Sequence, residues 1–500
     1  MEEIFHFVNG KDYISNGEGY FEIYNPSLGK KIRKIKTGTA QDVDFAVKIA
    51  QKAQIKWEQT PPAKRVQVML KFLRLLEEDI EIFAKLVAEE HGKTISDAKG
   101  SIARGLEVLE FCLGATQFLK SDFSANVANN VDTYNLRQPL GVCAGITPFN
   151  FPAMVPMWMY PIALCCGNAF ILKPSEKVPS AALYQAKKIK EAGLPDGLLN
   201  VIVGDKVVVD ALLEHPEIQS ISFVGSTTVG EYVFKKGAQQ NKKVQALCGA
   251  KNHLVVMPDA DVTQVVDALI GSAYGSAGER CMAISVVVAV GDSMADQLVA
   301  NLVPRVQSLK IGSYESKETE MGPIISQEAL SRIESLVHSG VEEGAKLVVD
   351  GRNIQVEGYP QGFFLGGCLF DRVRPEMKIY KTEIFGPVLC VVRVKNYEEA
   401  LQLVNDHEYG NGVAIFTRDG DSARHFSMHA KIGMVGVNVP IPVPVAYHSF
   451  GGWKRSSFGG HAIYGMEGVR FYTKLKTITT RWPSGIREGS EFFFVRGSEQ

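Results

Sequence analysis

From Gln138 to Leu172 the chain carries no Asp, Glu, Lys or Arg, yet Pro139, Pro148, Pro152, Pro156, Pro161, Asn150 and Asn168 punctuate the run. So long an uncharged run has to leave water, either into a membrane or into a protein core. A spanning helix needs about 20 apolar residues. Proline inside a helix deletes a backbone hydrogen bond and clashes with the preceding turn. The run therefore reads as a strand, a turn and a helix buried in a globular core. Hydrophobic residues are 45% and charged residues 22% of the chain, ordinary globular usage that excludes disordered and fibrous classes. Lys plus Arg is 54 against 55 for Asp plus Glu, a net charge of -1 that gives nucleic acid or an anionic membrane no reason to bind. A small-molecule ligand is expected instead. The 500 residues leave room for roughly three units of ~150 residues. Eight cysteines without a CxxC pair indicate reduced thiols and neither a disulfide scaffold nor a zinc ribbon. Met1-Glu2-Glu3 opens the chain without the basic and apolar regions of a secretory signal. A bacterial cytoplasm, or a mitochondrial matrix after processing, is the expected setting.

Apolar spacing predicts a mostly helical first 130 residues. One helix covers Gln41 to Thr60, a second runs from Pro62 to about His91, and a third from about Ile95 to Lys120. The third carries Ile102, Leu106, Leu109 and Leu113 on one face and Val108, Phe111 and Ala115 on the other, which predicts burial all round and makes Arg104 conspicuous. Strand-like runs at 141–146, 169–172, 198–203 and 220–224 then alternate with helical patterns at 152–166, 180–192, 207–215 and 228–238, the signature of a parallel, doubly wound sheet. A second βα series restarts near Asn252 and includes runs at 254–257, 283–290, 347–349, 388–393 and 413–417. Beyond Arg470 the alternation of Phe471, Thr473, Leu475 and Thr477 suits a strand that needs an edge to pair with, in this chain or on another subunit.

No GxGxxG, GxSxG or HExxH is present, and His91-Gly92-Lys93-Thr94 lacks the first glycine of a phosphate-binding loop because position 87 is Val. No metal is expected, since no metal-spaced His cluster exists. Four segments remain. Cys281 follows a run of small residues from Gly271 and adjoins Arg280; small residues admit a substrate, and a guanidinium favours thiolate, although a buried apolar role is the alternative. Asn150 in Pro148-Phe149-Asn150-Phe151-Pro152 can donate to an oxyanion or simply cap the following helix. Lys173 and Glu176 stand just past a strand, where charges read a nucleotide ribose or are merely solvated. Gly225 and Ser226 lead from a strand into a helix whose N-terminus can hold phosphate, or form a plain turn.

Together and in order, PFNFP, LKPSE, FVGS, LCGAKN, the ERC loop, EIFGPV at 383–388 and NVPIPVP through FGGWKRSSFG resemble the aldehyde dehydrogenase superfamily, over about residues 10 to 480. The resemblance implies an α/β fold: a Rossmann-type NAD-binding domain (1–122 and 140–249), an α/β catalytic domain (250–448) and a small β oligomerisation arm (123–139 and 470–492). It implies a homotetramer. It makes Cys281 the nucleophile and places the oxyanion on Asn150 and the Cys281 backbone N–H. NAD would be held by Phe149, Lys173, Glu176, Gly225, Ser226, Glu383 and Phe385. A carboxylate at Glu176 disfavours a 2′-phosphate, so NAD is expected and not NADP.

One departure stands out. Hydrolytic members carry a glutamate in an ELGGK-like segment that activates the deacylating water. Here Leu247 occupies that position in Leu247-Cys248-Gly249-Ala250-Lys251. Leu is no base, and GAKNH, GERCMA and VNVPIPVPVAYHSFGGWK resemble the CoA-acylating methylmalonate-semialdehyde dehydrogenase branch, where a thiol attacks the thioester. That likeness implies coenzyme A as co-substrate. Arg104 and Arg280 would then bind the substrate carboxylate, the alternatives being an ion pair of Arg104 with Glu107 and a plain surface charge at Arg280. The expected reaction converts methylmalonate or malonate semialdehyde to propionyl-CoA or acetyl-CoA, with CO2 and NADH. A hydrolytic dehydrogenase of another carboxylated aldehyde, such as succinate semialdehyde, is the competing enzyme reading, and a non-catalytic binding protein is the competing class.

Overall fold

The computed structural model describes residues 1–483. Its architecture is mixed α/β, as the βα alternation predicts. The first large sheet has eight strands in the order Ser457–Phe458, Lys243–Leu247, Ile218–Val224, Val142–Ile146, Ala169–Lys173, Leu199–Val201, His6–Val8 and Lys11–Tyr13. Its five central members are parallel. The chain starts in the middle at Val142–Ile146, winds outward through 169–173 and 199–201, then returns to the other side at 218–224, so the switch point lies between Val142–Ile146 and Ile218–Val224. The second sheet has seven strands, Lys346–Val349, Cys368–Asp371, Val388–Val394, Ile284–Val290, Asn252–Val256, Gly412–Phe416 and Met434–Val437, all parallel to their neighbours except the first. Each sheet organises its own hydrophobic core.

The uncharged run forms the centre of the first core. Val142–Ile146 and Ala169–Lys173 are buried along their whole length. Among the described residues no helix is long and apolar enough to cross a membrane. The single helix expected over 152–166 is cut into Met154–Met157 and Tyr160–Cys165, with Pro156 and Pro161 inside the short pieces. Asn168 closes this region. Fully buried, it accepts from the Leu140 and Gly141 N–H groups at 2.7 and 3.0 Å and donates to the Ala163 and Tyr472 carbonyls at 3.0 and 2.9 Å.

Other expectations need correction. The first 36 residues are not helical: they form the strands Glu2–Ile4, His6–Val8, Lys11–Tyr13, Tyr20–Asn25 and Lys30–Lys36, several too short and too charged to show a period. The helix expected from Pro62 to His91 breaks at Asp79, which ends Pro62–Glu78 and begins Ile80–His91. Its carboxylate is drawn sideways to Tyr184 and Lys188, both at 2.6 Å. The next helix, Ile95–Leu113, stops at Gly114 and does not reach Lys120. The terminal strand Thr473–Arg481 finds its edge within its own chain, pairing antiparallel with Val131–Pro139, which pairs with Phe123–Ala128. Residues 484–492 of the expected arm lie outside the described residues.

Because Asn168 satisfies four backbone groups in the core, Asn168→Ala should destabilise the fold by about 3 kcal/mol, the cost of buried donors left without partners. Thermal unfolding of the variant should show a clear drop in Tm; an unchanged Tm would mean that water satisfies those groups equally well.

Candidate active site

The first sheet offers its carboxyl edge: Thr147 to Asn150 after one strand, Lys173 at the end of another, Gly225 and Ser226 after a third and Cys248 after a fourth. The second sheet offers its amino edge: Cys281 precedes Ile284–Val290, Glu383 precedes Val388–Val394, and Asn411 precedes Gly412–Phe416. The edges meet at the crossing segment Gly249–Asn252. There Ala250 N–H donates to Glu383 Oε1 at 3.0 Å, and Lys251 Nζ donates to the Ile379 and Thr382 carbonyls at 2.7 and 2.8 Å. Gly249 is required for this approach, since a Cβ would lie 2.7 Å from both Glu383 Oε2 and Thr227 Oγ1. A cavity of about 340 Å³ opens between the edges, lined among others by Cys281, Arg104, Arg280, Leu247 and Cys248.

Cys281 is the one cysteine of the eight that is not fully buried. Its carbonyl is pinned by two side-chain amides, Asn252 Nδ2 at 2.9 Å and Asn411 Nδ2 at 3.2 Å. The preceding loop is strained: Ser276 and Ala277 sit at φ +50° and +53° in the left-handed region. Asp97, in the first turn of Ile95–Leu113, secures it by accepting from Ser276 N–H and Oγ at 3.1 and 3.0 Å. Burial and then the Glu383 carboxylate push the Cys281 thiol up to about 11, against the Cys281 and Met282 amides and Arg280. Arg280 does favour the thiolate, as expected, but its pull is the smallest of these effects.

Both arginines are paired. Arg280 Nη2 meets Asp97 Oδ1 at 2.9 Å, and Arg104 Nη1 is bidentate to Glu107 at 2.8 and 2.6 Å. Arg104 Nη2 also donates to the Pro444 carbonyl. Arg104 is half-buried at the cavity wall, not enclosed in a helix buried all round, because Gly100 and Ser101 open that face to the cavity.

Asn150 does not cap a helix. The next helix starts at Met154 with Ala153 at its N-cap and no side-chain capping bond. The Asn150 side-chain amide has no protein partner among the described residues, while its carbonyl accepts from Lys93 Nζ at 2.6 Å. The dinucleotide candidates cluster on the same side. Lys173 and Glu176 pair at 3.2 Å. Ser226 is the N-cap of Thr227–Gln239 but makes no side-chain capping bond, which leaves the first-turn amides free for an anion and fits a pyrophosphate. Gly225 donates its N–H to the Leu247 carbonyl at 3.1 Å. Phe385 is held at φ +54° and meets Phe149 edge-on with ring centroids 5.8 Å apart. Glu383, pushed up to about 7 mainly by burial, leaves Oε2 without a hydrogen bond among the described residues. Among the described residues no group of three or more His, Cys, Asp or Glu is placed to hold a metal ion.

Sequence reasoning missed Asp97, Asn411 and Lys93, whose partners stand 179, 130 and 57 residues away. Asp97 carries a local signal, as an acid in a helix first turn, but that signal does not reveal a loop partner. Since the Glu383 carboxylate raises the Cys281 pKa, Glu383→Gln should lower it and speed iodoacetamide alkylation of Cys281 at pH 8 by about three- to tenfold. A slower or unchanged rate would show that the two groups are not coupled.

The aldehyde dehydrogenase family pattern matches residues 13–478. The malonate-semialdehyde dehydrogenase of Pseudomonas aeruginosa is 56% identical over 495 residues, covering 99% of each chain. The human mitochondrial methylmalonate-semialdehyde/malonate-semialdehyde dehydrogenase [acylating] is 44% identical over 477 residues, 95% of this chain and 89% of the relative. Among solved structures, a Sinorhizobium meliloti protein complexed with NAD superposes with a TM-score of 0.96 at 55% identity, covering 98% of this chain and 99% of the other. The methylmalonate-semialdehyde dehydrogenase of Oceanimonas doudoroffii gives a TM-score of 0.96 at 49% identity, covering 98% and 100%. With its two-sheet architecture, its cavity cysteine and these full-length likenesses, the chain belongs to the aldehyde dehydrogenase family.

Proposed function

We propose that this protein carries out the NAD-dependent, CoA-acylating oxidation of malonate or methylmalonate semialdehyde with loss of CO2. The observation that carries this reading is the cavity wall. It presents a thiol, two guanidiniums and the alkyl group of Leu247, and its two lining carboxylates, Asp97 and Glu107, are each engaged by an arginine. Such a wall suits a carboxylated aldehyde, and neither of its own two carboxylates is free to activate water. The semialdehyde names of the relatives support the same chemistry.

Cys281 Sγ, once deprotonated, attacks the aldehyde carbon, and the carbonyl oxygen becomes an oxyanion. The Asn150 amide and the Cys281 N–H receive that oxyanion. NAD, held by Lys173, Glu176, Gly225, Ser226, Glu383, Phe149 and Phe385, supplies the hydride acceptor. Arg280 and Arg104 exchange their internal carboxylates for that of the substrate, fixing the acyl chain over Cys281. In the resulting thioester the carbon–carboxylate bond breaks, its electron pair moves into the thioester carbonyl as an enolate, and CO2 leaves. Asn150 and the Cys281 N–H stabilise the enolate until a proton is added at carbon. The CoA thiol then displaces Cys281, giving acetyl-CoA or propionyl-CoA and the free enzyme thiol. A thiol ionises more readily than water, so the absent base at Leu247 is tolerated.

The sheet of Phe123–Ala128, Val131–Pro139 and Thr473–Arg481 is assigned to self-association, towards a tetramer. It leaves Phe123, Leu136, Leu475 and the adjoining Trp482 exposed. A bacterial cytosol or mitochondrial matrix, each supplying NAD and CoA, is the proposed compartment; the human relative is mitochondrial.

With malonate semialdehyde and NAD, sustained NADH formation should require CoA and yield acetyl-CoA and CO2. Sustained release of a free acid without CoA would overturn the reading. Leu247→Glu should introduce slow CoA-independent turnover, because it restores a carboxylate to a cavity-lining position. Arg280→Gln and Arg104→Gln should each raise KM for malonate semialdehyde by about ten- to a hundredfold, the loss of a charged hydrogen bond, while leaving propionaldehyde unaffected. Equal effects on both aldehydes would remove the arginines from carboxylate recognition.

A further inference from the structure

We propose that Lys93 is a positioning residue for the oxyanion amide: its buried ammonium holds the Asn150 backbone so that the Asn150 side chain faces the reacting carbonyl. The inference rests on the role given to Asn150 above and extends it to a residue that the reaction scheme leaves unused.

Lys93 is 1% exposed, among the most deeply buried large side chains of the protein. A buried ammonium is costly unless something is gained from its place. Among the described residues its side chain makes one hydrogen bond, to the Asn150 carbonyl at 2.6 Å, and its Nζ lies over the Phe151 ring, 4.2 Å from the centroid. The side chain thus grips two adjacent residues, Asn150 and Phe151, of the turn that follows Val142–Ile146. Among the described residues no carboxylate lies close enough to pair with it as an ordinary ion pair. Burial lowers its pKa, and of the charged groups facing it Asp97 and Glu279 favour the cation while Arg280 opposes it.

The base of the side chain is itself fixed. Lys93 sits between the left-handed Gly92, which ends Ile80–His91, and Thr94, whose Oγ1 caps Ile95–Leu113. Gly322 packs so closely on this turn that a Cβ there would lie 2.0 Å from the Gly92 carbonyl oxygen. The far end is fixed as well, because Phe149 is flanked by the His91 ring at 5.9 Å and the Phe385 ring at 5.8 Å. Between these supports the Asn150 amide is left without a protein partner among the described residues. A backbone anchored on its carbonyl with a free side-chain donor suits a group reserved for an oxyanion. The sequence Gly92-Lys93-Thr94 looks like the end of a phosphate loop, but its lysine is spent inward on a backbone carbonyl.

The test is a double-mutant cycle on the single-turnover NADH burst with malonate semialdehyde. Lys93→Met, close to Lys in length, should slow the burst by about ten- to a hundredfold, the scale of a misplaced catalytic group. The KM for NAD, the rate of Cys281 alkylation and Tm should stay near wild type. Lys93→Gln, which keeps a donor, should recover part of the lost rate. Asn150→Ala should slow the burst by itself, and adding Lys93→Met to it should cost little more, because a positioning residue acts through the group it positions. A slow Asn150→Ala beside a normal Lys93→Met, or effects that multiply in the double variant, would overturn the inference and leave the role of Asn150 standing. An Asn150→Ala variant with a normal burst would overturn that role first. If Lys93→Met does not fold, Lys93→Gln serves in its place, and an additive cycle with it overturns the inference equally.

Discussion

The site exists because four residues cross from one sheet to the other without slack. Gly249 to Asn252 leave the last central strand of the first sheet and enter the second, and each makes a fixed contact on the way. The Ala250 N–H orients Glu383, Lys251 Nζ ties down the two carbonyls before it, and Asn252 Nδ2 holds the Cys281 carbonyl. The carboxyl edge of a doubly wound sheet is where a dinucleotide binds. Placing the amino edge of another sheet opposite brings a nucleophile to the same crevice. Without the crossing segment, each half would retain its own core and neither would have a site.

The electrostatics of that crevice are balanced internally. Arg104 and Arg280 each hold a carboxylate from the helix Ile95–Leu113, and Cys281 is kept as a thiol by burial and by Glu383. On the proposed reading, an incoming carboxylate would replace an internal one, with little change in the number of charges exposed. This favours a short carboxylated aldehyde over an uncharged one by geometry and charge together, since a guanidinium fork is best satisfied by a planar pair of oxygens. The strained Ser276–Ala277 turn, fastened by the same Asp97 that engages Arg280, links carboxylate recognition to the position of the nucleophile.

Much of this was legible in the chain. The parallel strands and their order of appearance followed from alternating βα patterns, and the prolines of 138–172 correctly excluded a spanning helix. Cys281, Asn150 and the arginines stood out as residues, while Leu247 and Glu383 were reached through the family resemblance. What stayed hidden has a common cause. The three-residue strands near the N-terminus are too short to leave a periodic trace, and two of them, Glu2–Ile4 and His6–Val8, pair with strands far along the chain. Asp79 separates two helices, with its carboxylate held by Tyr184 and Lys188, more than 100 residues away. The roles of Lys93, Asp97 and Asn411 depend on partners that no local pattern announces.

The sequence by itself determined which chemical groups are available: a thiol flanked by small residues, an alkyl side chain at Leu247, which the family resemblance marks as the place of a hydrolytic glutamate, and βα units that build parallel strands. These are properties of residue identity and short-range spacing, where steric and hydrogen-bonding rules act directly. Only the tertiary structure decided how those groups are biased. The arginines proved to be paired, the thiol to have its pKa raised by burial and by Glu383, and Asn150 to be free of any capping duty. Charge state, strain and the orientation of a donor depend on burial and on neighbours brought together across long stretches of chain, and both exist only once the two sheets have met.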